Sequence, residues 1–94
     1  MKIKGVIWLE DIVDKLVRKH GVEDYEVTEV LQRKPQFRFV EKDHRVEENV
    51  YAALGQTMSG RYLTVFFVYK TNGQALILSA RDMSKSERRL YDGK

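Results

Sequence analysis

The chain of 94 residues has the length of one domain, and we expect a single domain over residues 1–94. Hydrophobic residues make up 43% and charged residues 33%, which is the balance of a globular protein and excludes a disordered or fibrous one. The lack of cysteine excludes disulfide bonds and thiol chemistry and favours a cytoplasmic location. Acidic residues break the first apolar stretch, so neither a signal peptide nor a membrane span is expected.

The net charge of +3 is concentrated in the second half of the chain. Residues 1–50 contain 10 Lys and Arg against 11 Asp and Glu, whereas residues 51–94 contain 7 against 3. A basic half of this kind is what an anion-binding surface would produce. Many small proteins have a similar isoelectric point without binding nucleic acid, so charge alone leaves both interpretations open.

The first helix is predicted to begin near Trp8. Apolar residues recur with the spacing of one helical face at Trp8, Leu9, Ile12, Val13, Leu16 and Val17. Gly21 follows His20 and tolerates the left-handed conformation that ends many helices. Ahead of this helix, residues Ile3–Trp8 could form a short strand.

A second helix is indicated by the charges at its two ends. The acidic residues at its start and the basic residues at its end oppose the helix dipole; they are Glu23, Asp24 and Glu26, then Arg33 and Lys34. Pro35 terminates it. Its apolar positions Val27, Val30 and Leu31 would lie against a sheet or against the first helix.

Beyond Pro35 the apolar pattern alternates, which predicts strands. Four strands are expected, namely Gln36–Phe39, Val50–Gly55, Leu63–Tyr69 and Ala75–Leu78. Lys42–Asn49 is interpreted as a charged loop in which His44 is solvated. Met58-Ser59-Gly60 and Asn72-Gly73 are predicted turns, and hairpin connections of this kind imply an antiparallel sheet.

The sequence Ser84-Lys85-Ser86-Glu87 has the form of a capping box, in which the side chains of Ser84 and Glu87 bind free backbone N–H groups. It predicts a last helix over roughly residues Lys85–Tyr91. The fold class is therefore α+β, with two N-terminal helices, a four-stranded antiparallel sheet and one C-terminal helix.

Five short motifs follow one another along the chain: Lys19-His20-Gly21-Val22, Ala53-Leu54-Gly55-Gln56-Thr57, Gly60-Arg61-Tyr62-Leu63, Ser79-Ala80-Arg81 and Ser86-Glu87-Arg88-Arg89-Leu90-Tyr91. With Trp8 and the predicted order of elements, they resemble the BrnT family of bacterial toxins, a branch of the RelE-like ribonucleases. The resemblance extends from Trp8 to Tyr91. Each motif alone is weak, but five in this order are fairly specific.

One stretch departs from the family pattern. Where the family carries Asp, Lys and Asn along the first helix, this chain has Leu9, Ile12 and Leu16. Two interpretations follow. The first helix packs more deeply here, or a polar feature of the site or of a partner contact has been lost.

The resemblance implies a toxin of a type II toxin–antitoxin system: a metal-independent endoribonuclease that cleaves RNA, inhibits translation and uses no cofactor. It also implies a cognate antitoxin, a BrnA-like DNA-binding protein, with the toxin forming a homodimer or an antitoxin-bridged oligomer. No membrane partner is expected. The alternative is a non-catalytic module on the same fold that binds nucleic acid or protein. The sequence has no zinc-ligand spacing, phosphate-binding glycine loop or serine nucleophile motif.

RNA cleavage through the 2′-OH needs a base, donors for the charge that develops on the phosphate, and an acid for the leaving 5′ oxygen. Arg61 and Arg81 are predicted to converge at one end of the sheet as phosphate ligands, with Arg88 reaching the same end. Glu87, taken as the only carboxylate of this basic cluster, would act as a base or orient an arginine. His20 would act as an acid or base.

Lys85, Arg89 and Tyr91 are expected to contact RNA. Each candidate also has a purely structural interpretation. The arginines at strand ends could be solubilising residues, and Glu87 could serve the capping box alone. His20 could stabilise the helix dipole, and Tyr91 could pack on the sheet.

Overall fold

The structure, a computed structural model, describes residues 1–43 and 48–93. In chain order the elements are β1 (Gly5–Ile7), α1 (Glu10–His20), α2 (Asp24–Gln32), β2 (Gln36–Asp43), β3 (Glu48–Gln56), β4 (Tyr62–Tyr69), β5 (Gln74–Asp82) and α3 (Lys85–Asp92). The α+β class and the three predicted helices are confirmed.

The helix ends follow the local signals in the sequence. Gly21 ends α1 in the left-handed region, with φ of 61°, and its N–H donates to the Val17 carbonyl at 2.9 Å. The capping box at the start of α3 is confirmed. The Glu87 N–H donates to Ser84 Oγ at 3.2 Å, and the Ser84 N–H donates to Glu87 Oε1 at 2.8 Å.

The prediction of a four-stranded antiparallel sheet is wrong in detail, because the sheet of the described residues has five strands in the order β1-β5-β4-β3-β2, with β1 inside the possible strand Ile3–Trp8. Strands β2 to β5 pair antiparallel, whereas β1 pairs parallel with β5, from Gly5 opposite Gln74 to Ile7 opposite Leu76. Three residues are too few to show alternation. Pairing with a strand some 70 residues away is therefore a tertiary contact that local pattern does not reveal.

The charged loop predicted over Lys42–Asn49 is too long. Strand β2 continues to Asp43 and β3 begins at Glu48, and the pairing of these strands shifts between Phe39 and Glu41. The bulge displaces Val40, so polar and apolar residues no longer alternate regularly in this stretch. His44, interpreted as solvated, lies outside the described residues.

The two N-terminal helices cover one face of the sheet. Helix α1 packs against β5, and α2 packs against β3 and β4. Their buried side chains meet Leu63, Val65 and Phe67 of β4, which are inaccessible to solvent. Helix α3 lies over the other face, where Glu87 reaches Thr64 and Arg81.

The apolar residues that set α1 apart from the family pattern have different environments. Leu16 is buried and Ile12 packs against the core, whereas Leu9 is 46% exposed. Deeper packing of the helix therefore accounts for Ile12 and Leu16 but not for Leu9. Among the residues that the structure describes, no helix is long and apolar enough to cross a membrane.

Candidate functional site

Arg61 lies just before β4, and its hydrogen bonds connect the end of α1, the start of α2 and the end of β5. Its guanidinium group makes five hydrogen bonds, which equals its number of N–H groups. Nε and Nη2 donate to Asp82 at 2.8 and 3.3 Å. Nη1 donates to the Gly21 carbonyl at 2.7 Å and to Glu26 at 3.1 Å, and Nη2 donates to the His20 carbonyl at 3.1 Å. Arg61 therefore holds three elements together.

The charges around Arg61 reinforce this role. The hydrogen bond to Asp82 raises the pKa of Arg61, although burial opposes the effect. The same bond lowers the pKa of Asp82, and the charge of His20 adds a smaller contribution in the same direction. Arg61 and Asp82 are consequently a permanent ion pair at ordinary pH.

Arg81 and Glu87 form a second ion pair on the α3 side of the sheet. Arg81 Nη1 and Nη2 donate to the two oxygens of Glu87 at 2.7 and 2.9 Å, a bidentate arrangement. Thr64, which pairs with Arg81 across the strands, donates its hydroxyl to Glu87 Oε1 at 3.0 Å. The guanidinium of Arg81 also lies over the Phe66 ring, 5.2 Å from its centroid.

Glu87 is strongly stabilised as a carboxylate. Hydrogen bonds from Arg81, and then from the Ser84 backbone and Thr64, lower its pKa from 4.5 to about 2 despite its partial burial. A group that holds its proton so weakly is a poor base at neutral pH. The geometry therefore favours the second role considered for Glu87, the orientation of an arginine.

The prediction that Arg61 and Arg81 converge is wrong. Both lie at the same end of the sheet, but Arg61 points towards α1 and α2 while Arg81 points towards α3. The reason is the alternation of side chains along a strand, which places Asp82 and Arg81 on opposite faces. Arg61 is bound to Asp82 and therefore lies on the same face as Asp82.

A cavity of about 750 Å³ opens between the start of β4 and the first turns of α3. Of the predicted residues, Lys85, Arg88 and Arg89 line it, together with Tyr62, Asp82 and Ser84. We call this the α3 cavity. It contains three cationic side chains and one carboxylate, so it is suited to an anion.

Arg88 stacks on an aromatic ring within the α3 cavity. Its guanidinium carbon lies 3.4 Å from the centroid of the Tyr62 ring, and its Nε donates to Asp92 at 3.2 Å. Tyr91 meets the same Tyr62 ring edge-on at a centroid distance of 5.9 Å. The Arg88 side chain is still 52% exposed, so a ligand in the cavity can reach it.

His20 lies apart from this cavity. It ends α1 as an exposed residue, and its carbonyl accepts a hydrogen bond from Arg61. Through Arg61 and Asp82 it is connected to the end of β5, one residue from Arg81. The predicted site residues thus form two groups: Arg81, Glu87, Arg88, Lys85, Arg89 and Tyr91 on the α3 side, with Arg61 and His20 on the other.

Sequence reasoning missed Asp82, Glu26, Thr64 and Tyr62. Asp82 had a signal, because it is one of the three carboxylates in the basic half and directly follows Arg81. Glu87 is therefore not the only carboxylate of the basic cluster. Thr64 and Tyr62 could have been placed beside Arg81 and α3 only from the strand register. Glu26 has the appearance of an ordinary residue of a first helical turn.

Within residues 1–43 and 48–93, no group of three His, Cys, Asp or Glu side chains is placed to hold a metal ion. The acidic side chains of the site instead bind arginines, as with Asp82 and Glu87.

Comparison with known protein families identifies the chain. Residues 8–87 match the family model described as the ribonuclease toxin BrnT of type II toxin–antitoxin systems. A search of curated proteins returned no match. The matched region covers most of the 94 residues and includes both arginine networks and the first turn of α3. The chain therefore belongs to the BrnT family of type II toxin–antitoxin ribonuclease toxins.

Proposed function

We propose that this protein is a metal-independent endoribonuclease that cuts RNA at the α3 cavity and thereby inhibits translation. The proposal also includes a BrnA-like DNA-binding antitoxin and a homodimer or antitoxin-bridged oligomer. Family membership already implies an antitoxin partner and an RNA target. To this the proposal adds the type of reaction, its location on the protein and the oligomeric assembly.

One observation supports the proposal most strongly. Three cationic side chains line one cavity, and next to them a carboxylate holds a further arginine in place. Lys85, Arg88 and Arg89 lie on the first turns of α3, and Arg81 is fixed by Glu87 under the same helix. A phosphodiester needs donors of this kind, since charge accumulates on its oxygens as the 2′-OH attacks. Tyr62 and Tyr91 supply aromatic surface beside them, as single-stranded RNA sites commonly do.

The chemistry assigns different roles to the arginines. Arg88, exposed and stacked on Tyr62, contacts the phosphate. Arg81 is held by Glu87 and by the Asp82 carbonyl, and its role is to add positive charge beside the bound phosphate. Arg61 is a positioning residue, because its hydrogen bonds connect the end of β5 to α1 and α2.

The proton transfers are assigned to His20, the candidate whose residue type exchanges protons near neutral pH. The 2′ oxygen gives up its proton and forms a bond to phosphorus, the bond to the 5′ oxygen breaks, and that oxygen gains a proton. The products are a 2′,3′-cyclic phosphate and a 5′-hydroxyl. Because the 2′ and 5′ oxygens belong to one phosphodiester, the scissile phosphate must lie at the end of the sheet between the α3 cavity and His20, where both can reach it.

One observation favours the alternative of a non-catalytic module that binds nucleic acid or protein. Asp82 and Glu87 are both ion-paired with arginine and ionised, so neither is suited to accept a proton at neutral pH. Binding without cleavage would need only the cations of the α3 cavity.

The test is incubation of the purified protein with labelled single-stranded RNA in the presence of EDTA. We expect fragments that end in a 2′,3′-cyclic phosphate, and a loss of protein synthesis when the protein is added to a cell-free translation reaction. Arg88→Ala should slow cleavage by about 10- to 100-fold, as loss of a charged phosphate contact does. Lys15→Ala, on the exposed surface of α1, is the matched control and should cleave like the wild type.

The outcomes separate the two functions. RNA that is bound but stays intact, with or without added Mg²⁺, would contradict the nuclease and support the binding module. Cleavage that stops when EDTA is added would contradict metal independence. Cleavage by Arg88→Ala at the wild-type rate would remove the α3 cavity from the mechanism.

A further inference from the structure

A second cavity, of about 380 Å³, is separate from the α3 cavity, and one of its lining residues, Lys4, binds the β4–β5 turn. Its walls are the N-terminal segment, the end of α2 and the start of β2. We call it the N-terminal cleft. The two cavities share no lining residue among those that the structure describes. A ligand in one does not occupy the other.

The N-terminal segment forms a fixed wall of this cleft. The Lys4 N–H donates to the Gly73 carbonyl at 2.8 Å, and the Tyr69 hydroxyl donates to the Lys2 carbonyl at 2.8 Å. Gly73 lies so close that a Cβ there would come within 2.9 Å of the Lys4 side chain. The family match begins at residue 8, so this wall is formed by residues outside it.

The surface of the cleft combines apolar and cationic groups. Its partly exposed apolar side chains include Ile3, Val6 and Phe37, with Leu31 more deeply buried between them. Among residues 1–43 and 48–93, its charged side chains are the exposed lysines Lys2, Lys4 and Lys34, and no Asp or Glu lines it.

Among the described residues, the three lysines of the cleft form no ion pair. Elsewhere Lys70 pairs with Glu48 at 2.9 Å and Arg18 with Asp14 at 2.8 Å. Over the part of the chain that the structure describes, none of the three cleft lysines has a carboxylate within 4.0 Å. The cleft therefore presents positive charge that an incoming acidic group would neutralise.

Lys34 is held in an unusual backbone conformation. Its φ is +52°, although it carries a side chain and precedes Pro35, and both features disfavour the left-handed region. Strained residues of this kind tend to occur where the surrounding structure needs a side chain in a given place. Here the strained residue is one of the cations that line the cleft.

We propose that the N-terminal cleft binds an acidic peptide segment that carries aliphatic or aromatic side chains, contributed by the antitoxin. The carboxylates would pair with Lys2, Lys4 and Lys34, while the apolar side chains would cover Ile3 and Phe37. A peptide fits better than RNA because the apolar floor is aliphatic and phenyl, and the arginines and tyrosines suited to RNA lie in the α3 cavity. The inference does not depend on RNA cleavage.

The experiment uses the full chain and a short fluorescein-labelled peptide in which Glu residues are interspersed with Leu. Binding is followed by fluorescence anisotropy, and its position by ¹⁵N–¹H spectra of the labelled protein. We expect the wild type to bind, with shifts concentrated in residues 2–6 and 31–37. The double variant Lys2→Glu/Lys34→Glu should weaken binding at least about tenfold, whereas Lys15→Glu/Arg38→Glu, with the same change in net charge, should change it less than about twofold.

Two altered peptides test the charged and the apolar contacts separately. Replacing Glu by Gln, or Leu by Ser, should each weaken binding by at least about tenfold. The proposal fails if the wild type does not bind the acidic peptide, if the Gln peptide binds equally well, or if both double variants lose binding alike. It also fails if a single-stranded RNA of similar length shifts the cleft residues more strongly than the peptide does. The ¹⁵N–¹H spectra of the variants report on folding in the same measurement.

Discussion

Replacing Glu87 by Gln should make this protein less stable at neutral pH but not at strongly acidic pH. The amide keeps an oxygen that can accept the Ser84 N–H, but it loses the charge that binds both terminal nitrogens of Arg81. The variant thus removes the ion pair with little loss of volume.

The size of the expected loss of stability follows from the pKa of the Glu87 carboxyl group. Lowering its pKa from 4.5 to about 2 corresponds to at most about 3.4 kcal/mol of folding free energy. The Arg81 side chain is 36% exposed, so solvent screening reduces this to about 1–2 kcal/mol. Because the pKa is lowered by folding, the contribution is complete above about pH 4.5 and disappears as the pH falls towards about 2.

The assay is urea unfolding of wild type and Glu87→Gln at a series of pH values from neutral to about pH 2. We expect the wild type to be more stable by about 1–2 kcal/mol at pH 7, with the difference vanishing near pH 2. Asp92→Asn, which removes an exposed pair with Arg88 on the same helix, should cost less than about 0.5 kcal/mol. A difference between wild type and Glu87→Gln that does not change with pH would refute the reasoning.

Three other predictions examine separate parts of the structure. Arg61→Lys keeps the charge but cannot form the five-bond network, and it should lower the free energy of unfolding by about 2–3 kcal/mol in urea titrations; a loss below about 0.5 kcal/mol would show that the network is dispensable. Gly21→Ala should cost about 1 kcal/mol because φ there is 61°, and Gly21→Asn should cost less; equal stability of all three proteins would contradict this explanation. If Lys85 and Arg89 each contact a phosphate, replacing either by Ala should reduce the slope of log Kd for single-stranded RNA against log salt by about 0.7, and an unchanged slope would exclude that contact.

Local sequence signals were sufficient for the helices and for most strands. The apolar spacing of α1, Gly21 at its end and the Ser84–Glu87 capping box each act within a few residues, so they can be interpreted without knowing the fold. The Asn72-Gly73 turn predicted the β4–β5 hairpin for the same reason. A short strand within Ile3–Trp8 was considered, but its parallel pairing with β5 was not predicted, because β5 lies far along the chain.

The candidate site was predicted less completely. The residue types were informative, since Lys85, Arg88 and Arg89 do line one cavity. The partners of these residues could not be predicted. Tyr62 lies under Arg88 and Thr64 beside Glu87 because these β4 residues face α3, and the sequence does not show which β4 residues do so. The roles proposed for these residues in RNA binding and cleavage stay predictions that the experiments above address.

By itself, the sequence determined the class of fold, the ends of the helices and the motifs that resemble the BrnT family, because these depend on neighbouring residues and on residue type. Only the tertiary structure decided that Arg61 and Arg81 turn to opposite faces of the sheet, and that Glu87 is a stabilised carboxylate held by Arg81. The physical reason is the same in both cases. The direction of a strand side chain, and the charge beside it, depend on register and packing between elements that are distant in the chain.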